Sequence, residues 1–149
     1  LLLVGDYEND LDPLNPKTVE SINTNSSILA VGFKNDVRPY LAIANVLVFP
    51  SYREGFPNVV MQAGAMGLPS IVSDINGCNE IIIDQENGLI IPVKDEMAIF
   101  LAMKKVVSNS SLTSTMISNS RQMIVSRYEQ KVVWEAILSE YRTFESPNV

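Results

Sequence analysis

Five short apolar runs, separated by helix-forming stretches, limit what this chain can fold into. The runs are Leu1–Val4, Ser27–Gly32, Val46–Phe49, Ser70–Asp74 and Leu89–Ile91. They recur about every 20–25 residues, the separation a parallel strand–helix–strand crossover needs. Leu1–Val4 is a continuous apolar run rather than an alternating one, which suits a parallel sheet covered on both faces. The expectation is an α/β fold with a doubly wound, parallel, Rossmann-like sheet of about five strands, followed from Asp95 onward by carboxy-terminal helices.

The stretches between the runs carry helical spacing. Thr18, Val19 and Ile22 suggest a weak helix that stops near Asn23–Asn25, and Asp36 offers an N-cap to a helix carrying Val37, Tyr40, Leu41 and Ala44. Val59, Val60, Ala63 and Met66 give a third, which ends at Gly67 before Pro69. Asn79 and Glu80 open a short helix over Ile81–Ile83. Beyond Asp95, Met97, Phe100, Leu101, Lys104 and Val107 give one amphipathic helix, Leu112 to Val125 a second, and Val132, Val133, Ala136, Ile137 and Tyr141 a third. Trp134 is expected to pack among them. No linker or repeat interrupts residues 1–149, which read as one domain with a helical tail over about 95–145.

Charge and composition remove several functions. The net charge is −6 with no basic run, so the electrostatic term that dominates nucleic-acid binding is missing. There is no histidine and one cysteine, Cys78, which rules out an intramolecular disulfide, the usual zinc spacings and any Ser-His-Asp or Cys-His arrangement built from this chain alone. No metal is expected. A reducing, cytoplasmic setting is the default. Leu1–Val4 is too short for a signal or membrane segment, and with no initiator Met the chain reads as a piece of a longer one.

The chemistry concentrates at Ser51–Gln62, where the third run passes through a short polar loop into a helix. In an open α/β sheet ligands sit at the carboxyl ends of strands, and a helix amino terminus presents unpaired N–H groups to an anion. Glu54 lines that crevice, and Gln62, inside the helix, can lean back over it because helical side chains tilt toward the amino terminus. A carboxylate, a carboxamide and free amides together suit a ligand with hydroxyls and phosphate, such as a nucleotide sugar. Neither a phosphate-binding Gly-x-x-x-x-Gly-Lys-Ser/Thr loop nor a Gly-x-Gly-x-x-Gly after the first strand is present.

The run Pro50-Ser51-Tyr52-Arg53-Glu54-Gly55-Phe56-Pro57 through Ala63-Gly64-Ala65-Met66-Gly67-Leu68-Pro69 resembles the donor-binding half of family 4 glycosyltransferases. Leu2–Asp6, Val31-Gly32-Phe33, Asp74–Gly77 with Glu80-Ile81, and Glu86–Leu89 follow in that family's order, so the resemblance covers about residues 1–145. It implies the carboxy-terminal domain of a GT-B enzyme that moves a hexose from a UDP- or GDP-sugar to a polysaccharide or glycolipid with retained configuration. It assigns Glu54 to the donor sugar as the catalytic position and the Gly55, Phe56, Pro57, Asn58 and Val59 stretch to sugar and diphosphate. Gln62, where the family carries a second glutamate, falls to the ribose, and Phe33 and Lys34 lie near the base.

The family's diphosphate-neutralising Arg and Lys, and its amino-terminal acceptor domain, would precede Leu1. The chain alone is therefore expected to bind donor weakly and transfer no sugar. Family habit implies that the whole enzyme is cytoplasmic, either free or peripheral at the inner membrane. If the strand order is 3-2-1-4-5-6, the central first strand is missing. Leu1–Val4 and Val46–Phe49 would then close up, be bridged by another chain through self-association, or leave the domain marginal. Two other readings stay open: a non-transferring sugar-nucleotide enzyme of epimerase type, and a flavodoxin-like interaction module.

Overall fold

A computed structural model gives the structure of residues 1–7, 10 and 13–145, the last by its backbone alone. The elements in chain order are β1 (Leu2–Leu3), α1 (Pro16–Thr24), β2 (Leu29–Ala30), α2 (Arg38–Ala42), β3 (Leu47–Phe49) and α3 (Asn58–Ala65). They continue with β4 (Ser70–Ser73), α4 (Cys78–Ile81), β5 (Gly88–Ile91), α5 (Glu96–Ser108), α6 (Ser110–Tyr128) and α7 (Gln130–Glu145). All the strand pairings are parallel, as the alternation of strands and helices requires. The chain divides into two compact units, residues 1–43 and 44–149. The strands divide with it: β1–β2 form one sheet and β3–β4–β5 a second, and the five expected strands are all present in an α/β, Rossmann-like arrangement of parallel strands and flanking helices.

In the first unit Leu2 pairs with Leu29 and Leu3 with Ala30. The Asp6 carboxylate closes the far end by accepting the Phe33 N–H at 3.0 Å. Leu29 is 61% exposed in β2, which is two residues long and packs against α1. Helix α2 starts differently than expected. Its N-cap is Val37, and Asp36 instead takes the Arg38 N–H at 3.0 Å and the guanidinium through two bonds of 2.8 Å. Those bonds hold the Asp36 carboxyl below its ordinary value.

The second unit is built on β4, every residue of which is buried. Period-2 alternation sends Val72 into a core with Val60, Cys78, Ile81, Ile82 and Ile124. Ile71 goes to the opposite core, with Leu89, Ile91, Ala102, Val106 and Met116. Helices α3 and α6 cover the first core and α5 the second. Helix α3 stops as the sequence indicated: Gly67 adopts φ +81°, and the Leu68 N–H reaches the Ala63 carbonyl at 2.9 Å, which satisfies carbonyls the helix leaves open.

Two expectations about the tail are corrected. Helix α5 is apolar nearly all round, so helical spacing fits two faces equally. The face that packs is Ala98, Ile99, Ala102, Met103 and Val106, where two alanines allow a close approach to the sheet. Met97, Phe100, Leu101 and Val107 are exposed, Val107 at 87%. Trp134 is 62% exposed on α7, not packed.

Urea unfolding separates these faces. Met116→Ala empties a fully buried site and should cost about 2–5 kcal/mol, whereas Phe100→Ala should stay within about 0.5 kcal/mol of wild type. Comparable losses for both would contradict the observed orientation of α5.

Candidate functional site

Strand β3 ends at Phe49, and the chain crosses Ser51–Pro57 before α3 begins at Asn58. Pro57 is the N-cap and carries no side-chain capping bond. Its carbonyl accepts the N–H groups of Val60 at 3.2 Å and Met61 at 3.4 Å. Among the described residues no acceptor takes the backbone N–H of Gly55, Phe56, Asn58 or Val59. The open amides at α3 coincide with the positive end of its dipole, which is an anion-binding arrangement.

Glu54 is half-buried at the start of this turn, and among the described residues its carboxylate has neither an ion pair nor a hydrogen bond. Its charge nonetheless registers on a buried neighbour. The Cys78 thiol, at the start of α4, is pushed up from its usual 9.0 to about 11, first by burial and second by the negative charge of Glu54. Asn58 and Gln62 are both exposed and stand four residues apart on α3, so they share one helical face.

The structure thus brings Glu54, Gly55, Phe56, Pro57, Asn58, Val59 and Gln62 into one turn-and-helix within the second unit. Phe33 and Lys34 belong to the first unit, where Phe33 is 65% exposed and Lys34 half-buried. Among the described residues, no three His, Cys, Asp or Glu side chains converge to hold a metal ion.

Among the described residues, three contacts from other segments hold the loop, and sequence reasoning identified none of them. The Lys94 ammonium lies 4.7 Å above the Tyr52 ring, a cation–π distance. Phe56 meets Tyr128 edge to face at 5.4 Å and 68°. Gly77, at φ +77°, lies against the backbone of Gly55 and Phe56. A glycine in a turn after a strand is a visible signal, but what it touches is not. Tyr128 had no signal, since its role depends on where α6 ends.

Comparison with known proteins bears on what the site does. Residues 1–109 match the family described as "Glycosyl transferases group 1". The chain is 28% identical over 144 residues to the capsular polysaccharide biosynthesis glycosyltransferase CapM of Staphylococcus aureus, covering 97% of this chain and 38% of that protein. It is 34% identical over 129 residues to the UDP-Gal:alpha-D-GlcNAc-diphosphoundecaprenol alpha-1,3-galactosyltransferase of Escherichia coli, covering 85% of this chain and 32% of that one. Among solved structures, sucrose-phosphate synthase from Thermosynechococcus elongatus superposes with a TM-score of 0.79 at 27% identity, covering 97% of this chain and 38% of its own. The chain thus spans well under half the length of these relatives.

The thiol offers a test of the geometry. Its folded value lies above the unfolded one, so its stabilising contribution is present below about pH 9 and is lost as pH rises toward about 11. Urea midpoints of wild type should fall over that window more steeply than those of Cys78→Ala. Glu54→Gln should bring thiolate absorbance in at lower pH. Identical slopes for wild type and Cys78→Ala, or no effect of Glu54→Gln on the thiolate, would contradict the placement.

Proposed function

The chain belongs to the group 1 glycosyl transferases, and on that premise we propose that it supplies the sugar-nucleotide-binding half of a retaining, GT-B glycosyltransferase. The whole enzyme would move a hexose from a nucleoside-diphosphate sugar to a polysaccharide or glycolipid acceptor. The observation that carries this reading is a half-buried Glu54, without a bond or ion pair among the described residues, in the turn that leads straight into the open amides at the start of α3. The names of the relatives support it: one acts in capsular polysaccharide biosynthesis, and another takes its sugar from UDP-Gal and its acceptor on diphosphoundecaprenol.

In this reading the Asn58 and Val59 amides and the α3 dipole face the diphosphate. As the bond from the sugar to the diphosphate breaks, negative charge grows on the leaving oxygen, and fixed donors become more favourable there than in the ground state. The Glu54 carboxylate only accepts hydrogen bonds when ionised, so it holds hydroxyls of the transferring sugar and orients the ring. Gln62 both donates and accepts, which suits a ribose diol without adding charge. The cations that would neutralise the diphosphate, and the acceptor site, are assigned to the remainder of the longer protein. No resident metal is required in this scheme, and the enzyme is placed in the cytoplasm, peripherally at the inner face of the membrane. Among the described residues no helix is long and apolar enough to cross a membrane.

Calorimetric titration of the full-length protein with UDP, GDP and their sugars tests the reading. One nucleotide series should bind, equally in the presence of EDTA, while the 149-residue chain alone binds weakly and transfers nothing. In the full-length enzyme Glu54→Ala should lower kcat about 10²–10³-fold. Gln62→Glu should be tolerated within about threefold in donor KM. No nucleotide binding by the full-length protein would defeat the proposal.

A further inference from the structure

The loop that carries Glu54 rests on another part of the same unit. An ideal Cβ added at Gly77 would overlap the Gly55 carbonyl oxygen, and would lie 3.0 Å from the Gly55 carbonyl carbon and 3.1 Å from the Phe56 Cα. All three are backbone atoms, which cannot rotate aside as the end of a side chain can. Only the loop itself could move.

Gly77 is the fixed partner in this contact. It is buried, its N–H donates to the Glu80 carboxylate at 3.2 Å, and its carbonyl accepts the Ile81 N–H at 3.3 Å. Helix α4 is held in turn at its other end. The Arg127 guanidinium donates to the carbonyls of Glu80 at 3.0 Å and Ile81 at 2.7 Å, and the Tyr128 hydroxyl donates to the Glu80 carbonyl at 2.9 Å. The ring of that same tyrosine meets Phe56. One residue near the end of α6 therefore touches α4 through its hydroxyl and the loop through its ring.

We propose that Gly77 and Tyr128 are positioning residues for the reaction: the missing Cβ of Gly77 and the ring of Tyr128 together set where the Gly55–Phe56 backbone rests, and so where the Glu54 carboxylate stands. This rests on the reading that Glu54 addresses the donor sugar. The effect of the Glu54 charge on the Cys78 thiol, the residue next to Gly77, agrees with a carboxylate within electrostatic reach of the start of α4. A turn glycine needed only for its positive φ would affect folding and leave catalysis alone. A seat for Glu54 affects kcat while nucleotide affinity holds, because the amides that face the phosphates belong to α3.

The experiment uses the full-length enzyme, with nucleotide release from UDP-galactose, UDP-glucose or GDP-mannose as the activity and calorimetric binding of UDP or GDP as the second readout. Gly77→Ala should lower kcat about 30-fold with the nucleotide Kd within about threefold of wild type. Adding Glu54→Ala to Gly77→Ala should then cost only about 3–30-fold more, bringing the double variant to the level of Glu54→Ala alone, against about 10²–10³-fold in the wild-type background. If Glu54→Ala alone leaves kcat unchanged, the functional reading fails and this inference with it. If Glu54→Ala lowers kcat but Gly77→Ala does not, or the two losses multiply, positioning alone is overturned. Should Gly77→Ala fail to accumulate as folded enzyme, the ring decides. Tyr128→Leu should lower kcat about tenfold at unchanged nucleotide Kd, and Tyr128→Phe, which keeps the ring, should restore it to within about threefold. Wild-type kcat in Tyr128→Leu overturns the proposal.

Discussion

Strand β4 has no face turned to solvent, and the second unit takes its arrangement from that constraint. A parallel strand between two neighbours must send alternate side chains into two separate cores. Ile71 goes to the α5 side and Val72 to the α3–α6 side. With both faces and both edges occupied, the backbone of β4 cannot slide, and the turns that leave the carboxyl ends of β3 and β4 are delivered to fixed places. Those are the turns that carry Glu54 and Gly77. The fit at the centre extends to polar groups: Asn87, 1% exposed, donates to the Ile81 carbonyl at 3.1 Å and accepts the Ile83 N–H at 2.7 Å, so the approach to β5 is bonded internally. The hydroxyls of Ser70 and Ser73 are buried without a partner among the described residues.

Helix α6 ties the site to this frame. Its Ile124 meets α3 where Gly64 leaves room, and Arg121 bonds the Ala65 carbonyl at the end of α3. Arg127 and Tyr128 cap α4. One helix therefore holds both the helix whose amino terminus faces the ligand in the proposed reading and the helix on which the Glu54 loop rests. The loop needs few hydrogen bonds of its own, and its amides stay open because neighbours position it through rings and backbone contact.

Much of this was legible in the sequence because it follows from local pattern. Val46–Phe49 and Leu89–Ile91 read as strands from their apolar runs, the polar turn after Pro50 read as a strand-to-helix junction, and Gly67 before Leu68-Pro69 marked the end of α3. The features that escaped are those decided by packing between distant segments. Helix α5 is apolar on almost every side, so periodicity could not choose between the Phe100 and Ala102 faces. Asp36 looked like an N-cap, but a two-pronged bond to Arg38 holds it one residue outside that position. The contacts of Gly77 with Gly55, and of Tyr128 with Phe56, join residues far apart in the chain, and no single-sequence signal reports such a pair.

In the proposed reading the donor sits at the turn from Glu54 into α3. A crystal structure of the full-length enzyme with a bound UDP- or GDP-sugar tests it most directly. Diphosphate oxygens should lie within hydrogen-bonding distance of the Asn58 and Val59 amides, and the Glu54 carboxylate on a hydroxyl of the sugar. A nucleotide sugar bound elsewhere, with those amides and Glu54 facing only solvent, would contradict it.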